Sequence, residues 1–156
     1  MREWAAAARS WIVAHLDDPL DLLRKMKFEE IGFDPIDGHK LNLIEQVNQT
    51  WTYAVALAAA AKLLELHPDA DGFKIAPGAR MPIPLDIMSR REGFVGAETF
   101  AAVDPHNNHK LERDLLKMAQ RTEQYRYVFF CSPKFPGLQR IPKLETSSVQ
   151  VWSVEV

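Results

Sequence analysis

The sequence holds a single cysteine, Cys131, among 156 residues. It cannot close an internal disulfide, so stability has to come from packing, and a reducing cytoplasm is the expected compartment. Long apolar runs are also missing. The alanine-rich stretch 54–61 falls short of the ~18 residues a membrane span needs, and Lys62 and Glu65 follow it. No membrane partner is expected. Arg2, Glu3 and Arg9 interrupt the N-terminal alanines where a secretory signal would keep an apolar run. The chain has no P-loop and no dinucleotide-binding glycine fingerprint. Ser89, Ser132 and Ser147 lack the elbow motif of a serine hydrolase. There is no internal repeat.

What is present has the makeup of a globular domain. Apolar residues are 47% and charged residues 26% of the chain, enough to bury a core without staples. The net charge of −2 is unevenly spread: residues 1–104 carry −5 and residues 105–143 carry +5, with His106 and His109 in addition. A polyanion would favour the later stretch. A solvated helix and loop rich in Lys and Arg would give the same count.

Hydrophobic spacing predicts a helix over 2–16 and a second short one after Pro19, where proline suits the first helical turn. Gly32, Pro35 and Gly38 mark 28–40 as loop. A long helix is expected over 42–66, with Asn42 as its cap and Glu45 at the capping-box position. Strands are expected at 73–76, 84–90 and 94–103, the last two joined by a turn at Gly93. A helix over 109–120, capped by Asn108, should lead to a buried strand at 125–131 and, after a proline-rich loop, a last strand at 149–156. A strand, a crossing helix and a further strand fit a right-handed parallel crossover. The expected fold is α/β, a mixed central sheet flanked by helices with the core order α-β-β-β-α-β and a late C-terminal strand. Residues 1–40 would be an N-terminal helical extension packed on a core of 41–156.

Two acids are unusual in this pattern. Asp86 falls inside an expected strand, and Glu98 lies within the apolar run 94–103. Acids are depleted in strand interiors, and burying one without a partner is costly. On neighbouring strands of a hairpin, both carboxylates can share one face. Two converging carboxylates repel unless a cation lies between them, and hard oxygen ligands suit Mg²⁺ or Mn²⁺. Such an ion can polarise a phosphate and activate water. The other reading is two unrelated edge acids, each paired with Arg80, Arg90 or Arg91.

Pro84-Leu85-Asp86 and Glu98-Thr99-Phe100, set in a helix–strand–strand–strand–helix–strand order, resemble the PD-(D/E)XK nuclease superfamily over residues 42–131. The resemblance implies metal-dependent phosphodiester hydrolysis, with Asp86 and Glu98 as metal ligands and Glu45, on the first core helix, as a further acid. One position departs from the pattern. The family carries a lysine two residues after the Glu, and Phe100 stands there. Related proteins can supply that lysine from the next helix, and Lys110 opens it here, sharing a face with Asp114 and Lys117. The implied partner is nucleic acid, DNA ahead of RNA. The alternative is an inactive module of the same fold that binds nucleic acid or protein. Such a module could form a homodimer through the helix bearing Trp4 and Trp11, or through the last strand as a sheet edge.

Overall fold

A computed structural model describes residues 1–15, 18–77 and 83–156. Leu16, the end of the first expected helix, and Arg80 lie outside the described residues. The chain gathers into two compact units, Met1–Trp51 and Thr52–Val156.

In the first unit, helices α1 (Arg2–Ala14) and α2 (Pro19–Phe28) precede a two-stranded pair, β1 (Gly32–Phe33) and β2 (Lys40–Leu41). Asp18 starts α2: its Oδ1 accepts from the backbone N–H of Leu20 and Asp21, with Pro19 at the first helical position. Trp4 stacks on Phe33 at 4.6 Å between ring centroids. It also closes over Gly38, whose φ of +74° and lack of a Cβ both suit the position. The helix α3 (Leu43–Leu66) begins here. Asn42 Oδ1 accepts the Glu45 N–H at 2.8 Å, as the capping position predicts. Gln46 is buried, and its Oε1 accepts the Phe33 N–H. This bond ties the start of α3 to the short strands, and the first unit ends within α3, at Trp51.

The second unit is a mixed α/β layer structure. A six-stranded sheet runs β3 (Phe73–Ile75), β4 (Ile87–Ser89), β5 (Val95–Ala101), β6 (Tyr125–Cys131), β8 (Val149–Ser153), β7 (Gln139–Arg140) in spatial order. With α4 (Lys110–Ala119), the described residues hold four α-helices. β3, β4 and β5 form an antiparallel meander. β5 and β6 pair in parallel across α4, as the crossover rule requires. Gly93 turns the chain between β4 and β5 at φ +67°.

Side chains alternate across the strands, so each face has its own core. On one face, Val55, Ala59, Ala60 and Leu63 of α3 pack on Ile87, Val95, Ala97, Tyr127 and Phe129. On the other, Leu111, Leu115 and Met118 of α4 pack on Leu85, Phe100, Val128 and Phe130.

Three local expectations need correction. β8 lies between β6 and β7, so the last strand is not a sheet edge. Asn108 does not cap α4: it takes φ +55°, and no side-chain cap is formed there. Asp86 lies just before β4 rather than within a strand, because its side chain is drawn to β5.

Candidate functional site

β4 and β5 pair Ile87 with Ala97 and Met88 with Gly96. Carried one step further, that register sets Asp86 opposite Glu98. Ala97 belongs to the α3-side core, so Glu98 falls on the α4 side. Asp86 lies where the chain passes between the cores, with Leu85 in the α4-side core and Ile87 in the α3-side core. Gly96 helps to hold this arrangement. A Cβ there would lie 2.6 Å from Leu85 Cδ1, so the missing side chain makes room for the residue that leads into Asp86.

Asp86 does not continue the ladder. Its Oδ2 accepts both the backbone N–H of Thr99, at 2.8 Å, and the Thr99 hydroxyl, at 3.0 Å. The carboxylate is thereby fixed against β5 beside Glu98. Glu98 is 4% exposed, and its Oε1 accepts from Lys117 Nζ at 2.7 Å. Burial pushes the Glu98 carboxyl above the usual carboxylate range. The Lys117 ammonium opposes the shift, and repulsion from Asp86 and Asp114 adds to it.

The lysines come from α4. Phe100 occupies the position where the resemblance expects a lysine, and its ring is buried and stacked on Phe130 at 5.7 Å. Lys110 Nζ lies 5.7 Å from the centre of that ring and donates to Asp114 Oδ1 at 2.7 Å. Lys110 thus lies over the Phe100 ring and makes the i,i+4 pair with Asp114. The ammonium bonded to Glu98 is that of Lys117. Asp114 is buried between Leu111 and Leu115, and burial raises its carboxyl above the usual range; Lys110 counteracts this and Asp86 reinforces it.

On the α4 side the structure pairs Glu98 with Lys117 and Asp114 with Lys110, and it fixes Asp86 to Thr99, next to Glu98 in the chain. Glu45 belongs to the first unit and is exposed, with its N–H in the helix cap. Arg90 and Arg91 do not pair with Asp86 or Glu98: the Arg91 guanidinium meets Asp69 and covers the Phe94 ring. His106 pairs with Glu112 at 2.8 Å. The positive segment 105–143 is largely neutralised. Lys110, Lys117, Arg121, Lys134 and Arg140 each form an ion pair with an acid, which lowers the segment's pull on a polyanion.

A group able to hold a metal ion lies elsewhere. Among the described residues, the one set of three ligand atoms within 4.8 Å of one another belongs to Asp34, Asp37 and His39, in the turn between β1 and β2. Asp34 Oδ1 accepts the N–H groups of Ile36 and Asp37, and His39 Nδ1 bonds to Asp37. The spacing Asp-x-x-Asp-x-His in a glycine- and proline-bearing loop is the signal that the sequence reading passed over. The acids on the sheet are not drawn together as tightly.

In chemical terms, the sheet site offers carboxylate oxygens for a hard cation and two ammonium groups for anionic oxygens. Compared with known protein families, curated proteins and solved structures, the chain gives no match.

Proposed function

We propose that the α4 face of the sheet hydrolyses phosphodiester bonds in nucleic acid, DNA ahead of RNA, on a restriction-endonuclease-like core related to the PD-(D/E)XK nucleases. The observation that carries this reading is that Thr99 holds the Asp86 carboxylate on β5, next in the chain to Glu98, which Lys117 bonds. The lysine role left vacant at Phe100 is thereby available from α4. The order α3-β3-β4-β5-α4-β6, with its antiparallel meander and parallel crossover, agrees with the family's core.

The residues suit Mg²⁺ or Mn²⁺. Both are hard ions that bind one or two carboxylates and keep several waters, so a tight three-ligand cage is not required. Asp86 and Glu98 would hold the ion. When bound, it supplies Lewis-acid polarisation of the phosphate and lowers the pKa of water. Lys117 offers an ammonium group to a non-bridging phosphate oxygen once a cation takes its place at Glu98. Lys110, on the same face, adds positive charge where negative charge develops. Asp86 keeps its orientation through Thr99.

The test is incubation of the purified chain with plasmid DNA, single-stranded DNA and RNA in Mg²⁺ or Mn²⁺. Cleavage that disappears in Asp86→Asn and Glu98→Gln is expected. Intact substrates under every condition would retire the catalytic reading. A second reading is a non-catalytic binding module on the same core. It is favoured by the pairing of both α4 lysines with acids and by the buried Phe100. That module would bind nucleic acid, with salt-sensitive affinity, and leave it intact.

A further inference from the structure

One face of α3 is closed on the sheet through Val55, Ala59, Ala60 and Leu63. The opposite face is apolar as well. No Asp, Glu, Lys or Arg stands between Glu45 and Lys62. A helix that is apolar all round is normally covered all round. Here Val47, Leu57 and Leu64 are 52%, 46% and 52% exposed, and Trp51 is exposed beside them.

These side chains are regularly spaced. Val47, Thr50, Ala54, Leu57, Ala61 and Leu64 follow one another at alternating intervals of three and four, the spacing of a helix–helix seam. Each is exposed or half-buried. Thr50 is the one polar member, and its hydroxyl donates to the Gln46 carbonyl at 2.7 Å, within the helix. Lys62 and Glu65, near the end of the seam, pair with each other at 2.7 Å.

The order of sizes along the seam selects a second copy, running antiparallel, as the occupant. A two-fold axis level with Val55 and Ala56 sets Leu57 against Ala54 of the second copy, Leu64 against its Val47 and Ala61 against its Thr50. Each leucine then meets a smaller side chain, so the two surfaces interlock without voids. A parallel copy would set leucine on leucine and alanine on alanine, and the helices could not stay in contact along their length. Antiparallel helix dipoles also attract. The exposed parts of the seam and of Trp51 come to roughly 400–500 Å² per chain, so two copies would bury roughly 900 Å², near the lower bound for a specific interface. Such an area fits a weak, reversible dimer. Trp4, expected from the sequence to mark a dimer interface, is instead stacked on Phe33 within its own unit.

We propose that the outer face of α3 is the surface through which two copies of this chain associate, antiparallel, with Leu57 of each seated on Ala54 of the other. The association does not depend on the chemistry of the α4 face.

The test is sedimentation velocity on the full chain from micromolar to submillimolar concentration. The expected result is a reversible monomer–dimer equilibrium in the wild type, weakened at least tenfold in Leu57→Glu and in Leu64→Glu. Both variants should keep the wild-type melting temperature, because both side chains lie on the open face. Cross-linking fixes the direction. In a Cys131→Ala background, Leu57→Cys should form a disulfide-linked dimer, since the two sulfurs lie within one helical turn of each other across the axis. Leu64→Cys should not, because the antiparallel arrangement separates its two copies by about 25 Å along the helix. A monomer at every concentration overturns the proposal and leaves the face to a different partner. Undiminished association in either glutamate variant also overturns it, as does equal cross-linking of the two cysteine variants.

Discussion

On the α3 side of the sheet, Val95 and Ala97 of β5 and Tyr127 and Phe129 of β6 meet the apolar stripe of α3. On the α4 side, Gly96, Glu98 and Phe100 from the same β5 meet Leu111, Asp114 and Leu115. One residue along a strand separates a dry seat from a charged one. Polar groups on the first face are closed: Tyr127 and His67 meet at 2.7 Å, and Ser89 Oγ donates to the Arg91 carbonyl and accepts the Val95 N–H. Burial pushes the Tyr127 phenol up to about 12 and the His67 imidazole down. The bond therefore joins a neutral phenol and a neutral imidazole. The second face carries acids whose compensation is incomplete. Substitutions on the α3 side should read purely as stability, whereas those on the α4 side should separate stability from ion binding.

The largest effect should come from the dry face. Phe129 is fully buried, and Phe129→Ala should cost about 3–5 kcal/mol in a urea titration, from lost burial plus a cavity. A loss below 1 kcal/mol would mean that this core is not packed as described. On the charged face, Lys117→Ala leaves Glu98 buried without its ammonium partner. The expected cost at neutral pH is about 1.5–3 kcal/mol. It should shrink as the pH falls and Glu98 becomes protonated, so a deficit independent of pH would contradict the pairing.

Asp114→Asn should act in the opposite direction. In the folded chain the carboxyls of Asp114 and Glu98 both lie above their ordinary values, so the folded state binds more protons than the unfolded state in that window. Wild-type stability must then fall as the pH rises from the ordinary carboxylate range through the raised values. Removing one charge should flatten that slope and raise the melting temperature at neutral pH by about 2–4 °C, equivalent to roughly 1 kcal/mol. A lower melting temperature would show that the Lys110 pair outweighs the buried charge.

The smallest effect belongs to His67. Its folded pKa is depressed by burial, against a weaker opposing pull from Asp69. The unfolded chain therefore takes up the proton first as the pH drops. The contribution of neutral His67 is complete above about 6.5, the ordinary value, and is lost as the pH falls below it. Denaturation midpoints between pH 5 and 8 should decline on the acid side. Replacement by Gln should remove that decline, and an unchanged pH profile in His67→Gln would sink the assignment.

Legibility from the sequence followed the strength of the periodic signal. The long helix expected over 42–66 is Leu43–Leu66, and the apolar strand expected over 125–131 is Tyr125–Cys131. The meander and the crossover followed from element order. β1, β2 and β7 are two residues each, too short to show any period. β4 shrinks to Ile87–Ser89 because the Asp86 carboxylate bonds to Thr99, a long-range contact that no local pattern encodes. Asp86, Glu98 and Lys110 each stand out locally in the sequence, as an acid in an expected strand or a lysine at an expected helix start. The link from Lys117 to Glu98 depends on how α4 is seated on the sheet. The clue to Asp114 was present, since 111, 114, 115 and 118 share one helical stripe. An i,i+4 partner for Lys110 was the simpler reading of it.

The most direct test of the shared-cation account is Mn²⁺ calorimetry on the wild type, Asp86→Ala and Glu98→Gln, with no nucleic acid present. The account predicts one binding event in the wild type, weakened at least tenfold in both variants while each still melts cooperatively. Equal Mn²⁺ affinity in all three proteins would contradict it.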